Sequence, residues 1–358
     1  MPPAPSRTAP PESHPTLSPR PFTRRDWLIT FLLALATIQT ARADFFINNT
    51  FIDWRQYALG NAALPYQGRA LLMPLLRWAG NSPAFRHIAA RYAVTVQIGT
   101  LFYEPITPEK FMSLLLGLAS LTAIMLAAFW WSRRRALDPW WLPNVLVLVI
   151  MGVTVALRAT TNYWYAYDLP HAALFGIGAI LALEGLWPAM LLCFAIDVPL
   201  RETALFSIVM LAPVFFAQQP AASTRWPRTA ALLAGMAVYW AVVRFVIARH
   251  FAGNLNQTYP RLAQNLHELL YPHHWPQLFS AGGFLILIVW LERRRLAPLD
   301  RMLLYGSAAC VPITLWFGVW TETRVWMEWT LPLASLASLE AVSWMRTHTA
   351  VSTPGNTT

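Results

Sequence analysis

The chain has 358 residues, 56% of them hydrophobic and 12% charged, with 18 Trp and a net charge of +10. This balance excludes an ordinary soluble domain and predicts an all-α polytopic integral membrane protein. The charge is almost wholly arginine, Lys110 being the single lysine. Arginines gathered in cytoplasmic loops beside anionic lipid account for it without nucleic acid as a partner. Cys193 and Cys310 each sit in an apolar run and read as small buried hydrophobes, which supports neither a zinc site nor a disulfide framework.

Residues 1–22 are rich in Pro, Ser and Thr and lack an apolar period, so they are predicted to form a disordered cytoplasmic tail. Residues 23–346 are predicted to form a single transmembrane domain and 347–358 a second disordered tail. Arg24, Arg25 and Asp26 lead into WLITFLLALATIQTA, a run of about 15 to 17 residues at the short end of what spans a bilayer. Ala41-Arg42-Ala43 also fits a signal-peptide cleavage site, but the many later spans favour an uncleaved first helix. Residues 44–110 are predicted to be an outer-face amphipathic segment. Within it, GRALLMPLLRWAG reads as a short helix broken at Pro74. The stretch FRHIAARYAVTVQIGTLFY carries Arg86, His87, Arg91 and Gln97, polar groups that make a span expensive, so both pieces are expected at the interface or in re-entrant positions.

Further spans are predicted at 111–131, 140–157, 171–187, 188–198, 200–217, 229–248, 278–291, 301–320 and 325–344, about ten transmembrane helices in all, with 188–198 the shortest. With the N-terminus inside, the clusters at Arg133, at Arg225 and Arg228, and at Arg293 all fall in the cytoplasm, as the positive-inside rule requires. That orientation predicts a bacterial inner-membrane protein with both termini cytoplasmic. It leaves the 44–110 segment, the Asp168 loop, the Arg201-Glu202 junction and the 249–277 loop on the outer face.

Polar groups on that face are the candidates for chemistry. Asp53, with Tyr57 one turn later, is either a general base for an incoming hydroxyl or a metal ligand, or else the N-cap of an interfacial helix. Arg69, after Gln67-Gly68, offers a planar fork of donors to phosphate, or snorkels to lipid headgroups. The run Tyr163-Trp164-Tyr165-Ala166-Tyr167-Asp168-Leu169-Pro170-His171 reads as an interfacial aromatic belt before a helix start. Alternatively it is a stacking platform for a sugar or isoprenoid, with Asp168 and His171 at its edge. Asp197 to Thr203 places three ionisable groups between two apolar segments, a costly arrangement that is functional by default, with Arg201 as an anion ligand and Glu202 orienting it. Glu322, Arg324 and Glu328 form a weaker set, in which Arg324 and Glu328 have the spacing of a helical ion pair. His250, His267, His273 and His274 lack metal-ligand spacing with nearby acids.

The order of a first helix, an outer-face acid with Asp53 and Tyr57, an amphipathic stretch and many further helices resembles the GT-C class of lipid-dependent glycosyltransferases. Pro199-Leu200-Arg201-Glu202-Thr203, with Tyr167-Asp168 and Glu322-Thr323-Arg324, is similar to a group of bacterial polytopic proteins that carry an Asn-Arg-Glu-Thr motif, Leu200 standing in place of the Asn. The resemblance implies a catalytic acid at Asp53 and a polyprenyl-phosphate-linked sugar as donor. Arg201, with Arg69 or Arg324, would then hold the phosphate. It fixes no definite cofactor; a divalent metal is the one candidate, and Asp53 would help to hold it. A reading of a different class is a transporter or flippase for a lipid-linked or anionic substrate, in which Arg201 and Glu202 line a pathway. A non-catalytic membrane subunit is a third.

Overall fold

The structure, a computed structural model, describes residues 22–47, 52–97, 106–158, 165–219, 222–256, 260–276, 283–317 and 323–351, and among these every regular element is helical. The predicted N-terminal tail and the aromatic residues Tyr163 and Trp164 lie outside the described residues, as does Glu322.

Helix α1 (Arg24–Ile47) opens on a capping box, in which Thr23 and Asp26 exchange hydrogen bonds of 2.7 to 3.2 Å that satisfy end groups of the helix. It runs unbroken through Ala41-Arg42-Ala43. The short α2 (Trp54–Leu59) is capped by Asp53 and stopped by Gly60, whose φ of 92° is a left-handed conformation open to glycine. Two 3-10 turns then lead into α3 (Met73–Asn81) and α4 (Pro83–Gln97). Pro74 does not break a helix, as the sequence suggested; it lies in the first turn of α3, where its missing N–H has no helical partner to lose.

Helix α5 (Pro108–Arg134) starts at an N-cap, Thr107, with Glu109 in its first turn, and ends on Arg133 and Arg134, so charges complement the helix dipole at both ends. Then come α6 (Leu142–Arg158), α7 (Asp168–Leu183) and α8 (Trp187–Asp197). The tight α7–α8 turn passes through Gly185 at φ 73°. Helix α8 is 11 residues long, roughly 16 Å at 1.5 Å per residue. A 3-10 turn at Glu202–Leu205 precedes α9 (Phe206–Gln218). Helix α10 (Ala222–His250) carries Arg225, Pro227 and Arg228 inside its first turns, whereas the sequence suggested a link before residue 229. The amphipathic α11 (Leu262–Leu269) follows, then α12 (Gly283–Leu291) and α13 (Pro298–Phe317). A 3-10 helix at Thr323–Trp329 leads into α14 (Thr330–Val351), which extends beyond the expected tail boundary at 347.

Three of these helices, α1, α5 and α10, are long and apolar enough to cross a membrane. The main core is shared by α5 to α9, α13 and α14, around Leu121, Ile124, Met151, Phe175, Met210 and Trp329. A second, smaller core under the 52–81 segment gathers Trp54, Tyr57, Leu76, Tyr165, Tyr167 and Leu200. At one end of the bundle Asp26 accepts from Trp140 Nε1 at 2.9 Å, Glu184 pairs with Arg134 and Arg135, and Arg135 reaches Asp300 at 3.4 Å. The 52–81 segment, the Asp197–Thr203 junction and the C-terminal end of α10 meet elsewhere, through Leu71 N–H to Pro199 O at 3.3 Å and Arg244 Nη1 to Gly68 O at 2.7 Å.

The closest packing in the main core is α9 against α13, where a Cβ added at Gly306 would lie 2.0 Å from the Met210 carbonyl oxygen. Gly306→Ala is therefore expected to destabilise by about 1–3 kcal/mol. Gly235→Ala, with open space around it in α10, should be neutral or slightly stabilising. Thermal unfolding of both variants in detergent checks the contrast; equal midpoints would contradict this helix contact.

Candidate functional site

The residues singled out in the sequence divide between an exposed cleft and a buried polar network, with α2 between them. Asp53 is exposed, and its Oδ1 accepts from the backbone N–H groups of Arg55 at 2.9 Å and Gln56 at 3.1 Å, the geometry of an N-cap. It borders a cleft of about 790 Å³ that Arg55, Arg77, Arg86, Glu109 and Lys110 also line. Four basic side chains thus face two carboxyl groups, and the cleft favours anions. Gly80 lets Glu109 approach, since a Cβ there would fall 2.2 Å from Glu109 Oε1. This donor set does not suit a divalent metal at Asp53, because one carboxylate oxygen already holds two N–H groups and four cations surround the site. Among the described residues no group of three His, Cys, Asp or Glu side chains converges on a metal-sized space.

Tyr57, one turn after Asp53, points the other way. It is fully buried, packs 6.4 Å from the Tyr167 ring, and donates its hydroxyl hydrogen to the Arg69 carbonyl. Burial pushes its phenol above the ordinary tyrosine range, against the smaller opposing pull of the Arg69 charge. The Arg69 guanidinium is held on three sides. Nε and Nη2 form a fork with the Glu202 carboxylate, Nη1 lies 2.6 Å from the Tyr167 hydroxyl, and the group sits 4.6 Å from the centre of the Tyr167 ring. Gln67 braces this turn by accepting from Ala62 N–H at 2.8 Å and donating to Tyr57 O at 3.3 Å.

The anion ligand foreseen in Arg69 is therefore already matched by a carboxylate from 133 residues away. Tyr165 and Tyr167 stack on each other at 5.3 Å and are buried, so the rings foreseen as a sugar platform act as core beneath Arg69.

Behind this pair lies a second set of charges. Arg201 Nη1 is 3.3 Å from Asp168 Oδ1 and 3.4 Å from Glu328 Oε1. His171 lies between Asp197 Oδ1 at 2.6 Å on Nδ1 and Glu328 Oε1 at 3.0 Å on Nε2. Thr203 Oγ1 is 2.9 Å from His171 Nε2 and 2.8 Å from Glu328 Oε1. The order hydroxyl, imidazole, carboxylate resembles a nucleophile triad, but Thr203 donates to Glu328, which leaves its oxygen to accept from the ring.

The structure thus brings together Tyr57, Arg69, Tyr165, Asp168, His171, Arg201 and Glu202, and leaves Asp53 on the cleft side. The backbone of Arg324 belongs to the 3-10 helix at Thr323–Trp329, and its side chain lies outside what the structure describes. Glu328, at helical spacing from Arg324 in the sequence, lies 3.0 Å from His171 Nε2 and 3.4 Å from Arg201 Nη1. The signal that could have found it was an acid inside the apolar aromatic run Trp326-Met327-Glu328-Trp329. His274, which lacked an acid by sequence spacing, pairs with Glu268.

Two expectations follow from this geometry. Glu202→Gln breaks the fork on Arg69 and is expected to cost about 2 kcal/mol, the low end for a buried pair because the Glu202 side chain is 31% exposed. Unfolding in detergent measures it, and a variant as stable as wild type would show the fork to be without consequence. Tyr57 has a folded pKa raised above its unfolded value, so its contribution is complete below pH of about 10 and is lost as pH rises further. Tyr57→Phe should lose about 1 kcal/mol at neutral pH and show a shallower alkaline fall in stability than wild type. Superimposable alkaline profiles would rule this contribution out.

Comparison with protein-family models, with curated proteins and with solved structures finds no match, so the reading of this chain rests on its own residues.

Proposed function

We propose that the chain is a multi-pass protein of the bacterial inner membrane that transfers a sugar from a polyprenyl-phosphate donor on the outer face, with Asp53 as general base. Membrane residence is supported by the exposed apolar faces. Trp27, Leu28, Phe31 and Leu32 on α1 and Val242, Phe245 and Val246 on α10 are all more than half exposed, and only 6% of the apolar stretch of α10 is buried. Such surfaces are an aggregation hazard in water and the ordinary surface of a helix in lipid. The arginines around Arg133–Arg135 would face the cytoplasm and the Arg69–Glu202 end the outer side.

The observation that carries the enzymatic reading is Asp53 in a cleft lined by Arg55, Arg77, Arg86 and Lys110. The N–H groups of Arg55 and Gln56 fix the carboxylate while leaving it exposed to a substrate. An acceptor hydroxyl would give its proton to Asp53 as its oxygen attacks the anomeric carbon. The bond to the lipid phosphate would break in the same displacement, and the cleft cations would offset the charge on the departing phosphate. Phosphate recognition is reassigned from Arg69 and Arg201, which are engaged by Glu202, Asp168 and Glu328, to these four side chains. The transporter or flippase reading draws on the buried charges behind Arg69.

Asp53→Asn isolates the chemistry, because Asn caps a helix as well as Asp and cannot take up the proton. Sugar transfer by purified protein in detergent is expected to fall by about 100-fold or more with the unfolding midpoint unchanged. Transfer at the wild-type rate would remove Asp53 as the base. Lipid movement in proteoliposomes without any transfer by the wild type would favour the flippase.

A further inference from the structure

The network behind Arg69 has a charge balance that the sugar-transfer reading does not use. Among the described residues it contains four carboxyl groups, Asp168, Asp197, Glu202 and Glu328, and three guanidinium groups, Arg69, Arg201 and Arg244, the last 3.8 Å from Glu202. A carboxylate in such surroundings is costly unless a cation or a hydrogen-bond donor meets it. His171 sits between two of these acids. Its two ring nitrogens face carboxylate oxygens at 2.6 and 3.0 Å, and where both acids are ionised they can only accept, so each nitrogen then carries a hydrogen. The ring, Asp197 and Glu328 are all buried; Glu328 Oε1 also accepts from Thr203 Oγ1 at 2.8 Å and lies 3.4 Å from Arg201 Nη1, while Asp197 Oδ1 faces the ring at 2.6 Å.

We propose that His171 is a buried proton-binding site, an imidazolium clamped between Asp197 and Glu328. The groups that face it are Asp197, with Cys193 beside it, from α8; Thr203 from the junction; and Glu328 from the 3-10 helix, with Cys310 near it on α13; beyond Glu328 lie Arg201 of the junction and, against Arg201, Asp168 of its own helix. Thr203 is only partly buried and touches both the ring and Glu328, which gives the proton a hydrogen-bonded route inward. Without the proton, Asp197 and Glu328 repel across a neutral ring, and the α8 end separates from the 323–329 turn. The site therefore ties one proton to the junction whose Glu202 holds Arg69. This holds whether or not the chain transfers sugar.

The experiment uses full-length protein in lipid nanodiscs with ¹⁵N-labelled imidazoles. The other seven of the eight histidines are changed to Gln, leaving the network intact and one ring to observe. At a pH of about 7.5, where an ordinary imidazole is roughly nine-tenths neutral, both nitrogens of His171 are expected to resonate as protonated. One protonated and one bare nitrogen would overturn the proposal. If the sevenfold variant does not fold, the difference spectrum between wild type and His171→Gln reads the same pair of resonances, with the same two outcomes.

Discussion

The need to compensate buried charge is the constraint on which the rest of this structure depends. Asp168, Asp197, Arg201 and Glu328 are nearly inaccessible, and none could stand there alone without a cost of several kcal/mol. Each is contributed by a different segment: the start of α7, the end of α8, the junction before α9 and the 3-10 helix before α14. Their contacts with one another and with His171 therefore fix how four segments meet. Apolar packing of α7, α9 and α14 sets the distance between helices, and the charge network selects the register.

The same junction carries the 52–81 segment. Arg201 faces inward to Asp168 and Glu328, while its neighbour Glu202 turns to Arg69. Two successive residues thus join the buried network to the 52–81 segment, with Tyr57 and Tyr167 packed beneath. Asp53 gains its position at second hand. It caps α2, α2 is seated by Tyr57, and Tyr57 bonds to the backbone of the arginine that Glu202 holds. The chemistry assigned to the cleft and the proton assigned to His171 lie on opposite sides of one short helix.

The two sites differ in how buried they are, and that difference decides their roles. The cleft has four basic groups within reach of solvent and an exposed carboxylate, so it can exchange ligands. The His171, Asp197 and Glu328 side chains are buried against one another, and among common ligands a proton is small enough to enter there without displacing helices.

Composition and hydrophobic runs alone determined the helical class and the approximate position of most helices, because these depend on local periodicity and on short stretches of charge. Asp53 as a cap, and the Asp197–Thr203 junction as a place of consequence, were legible for the same reason. Partner choice was not. Nothing local says that Arg69 meets Glu202 133 positions away, that Asp197 turns to His171 rather than Arg201, or that Glu328 meets a histidine on α7. Nor could spacing reveal that Arg55, Arg77, Arg86 and Lys110 share one cleft, since they come from α2, α3, α4 and α5. Those pairings are fixed by which helices pack together and by the requirement that buried charges cancel, and only the tertiary structure decides both.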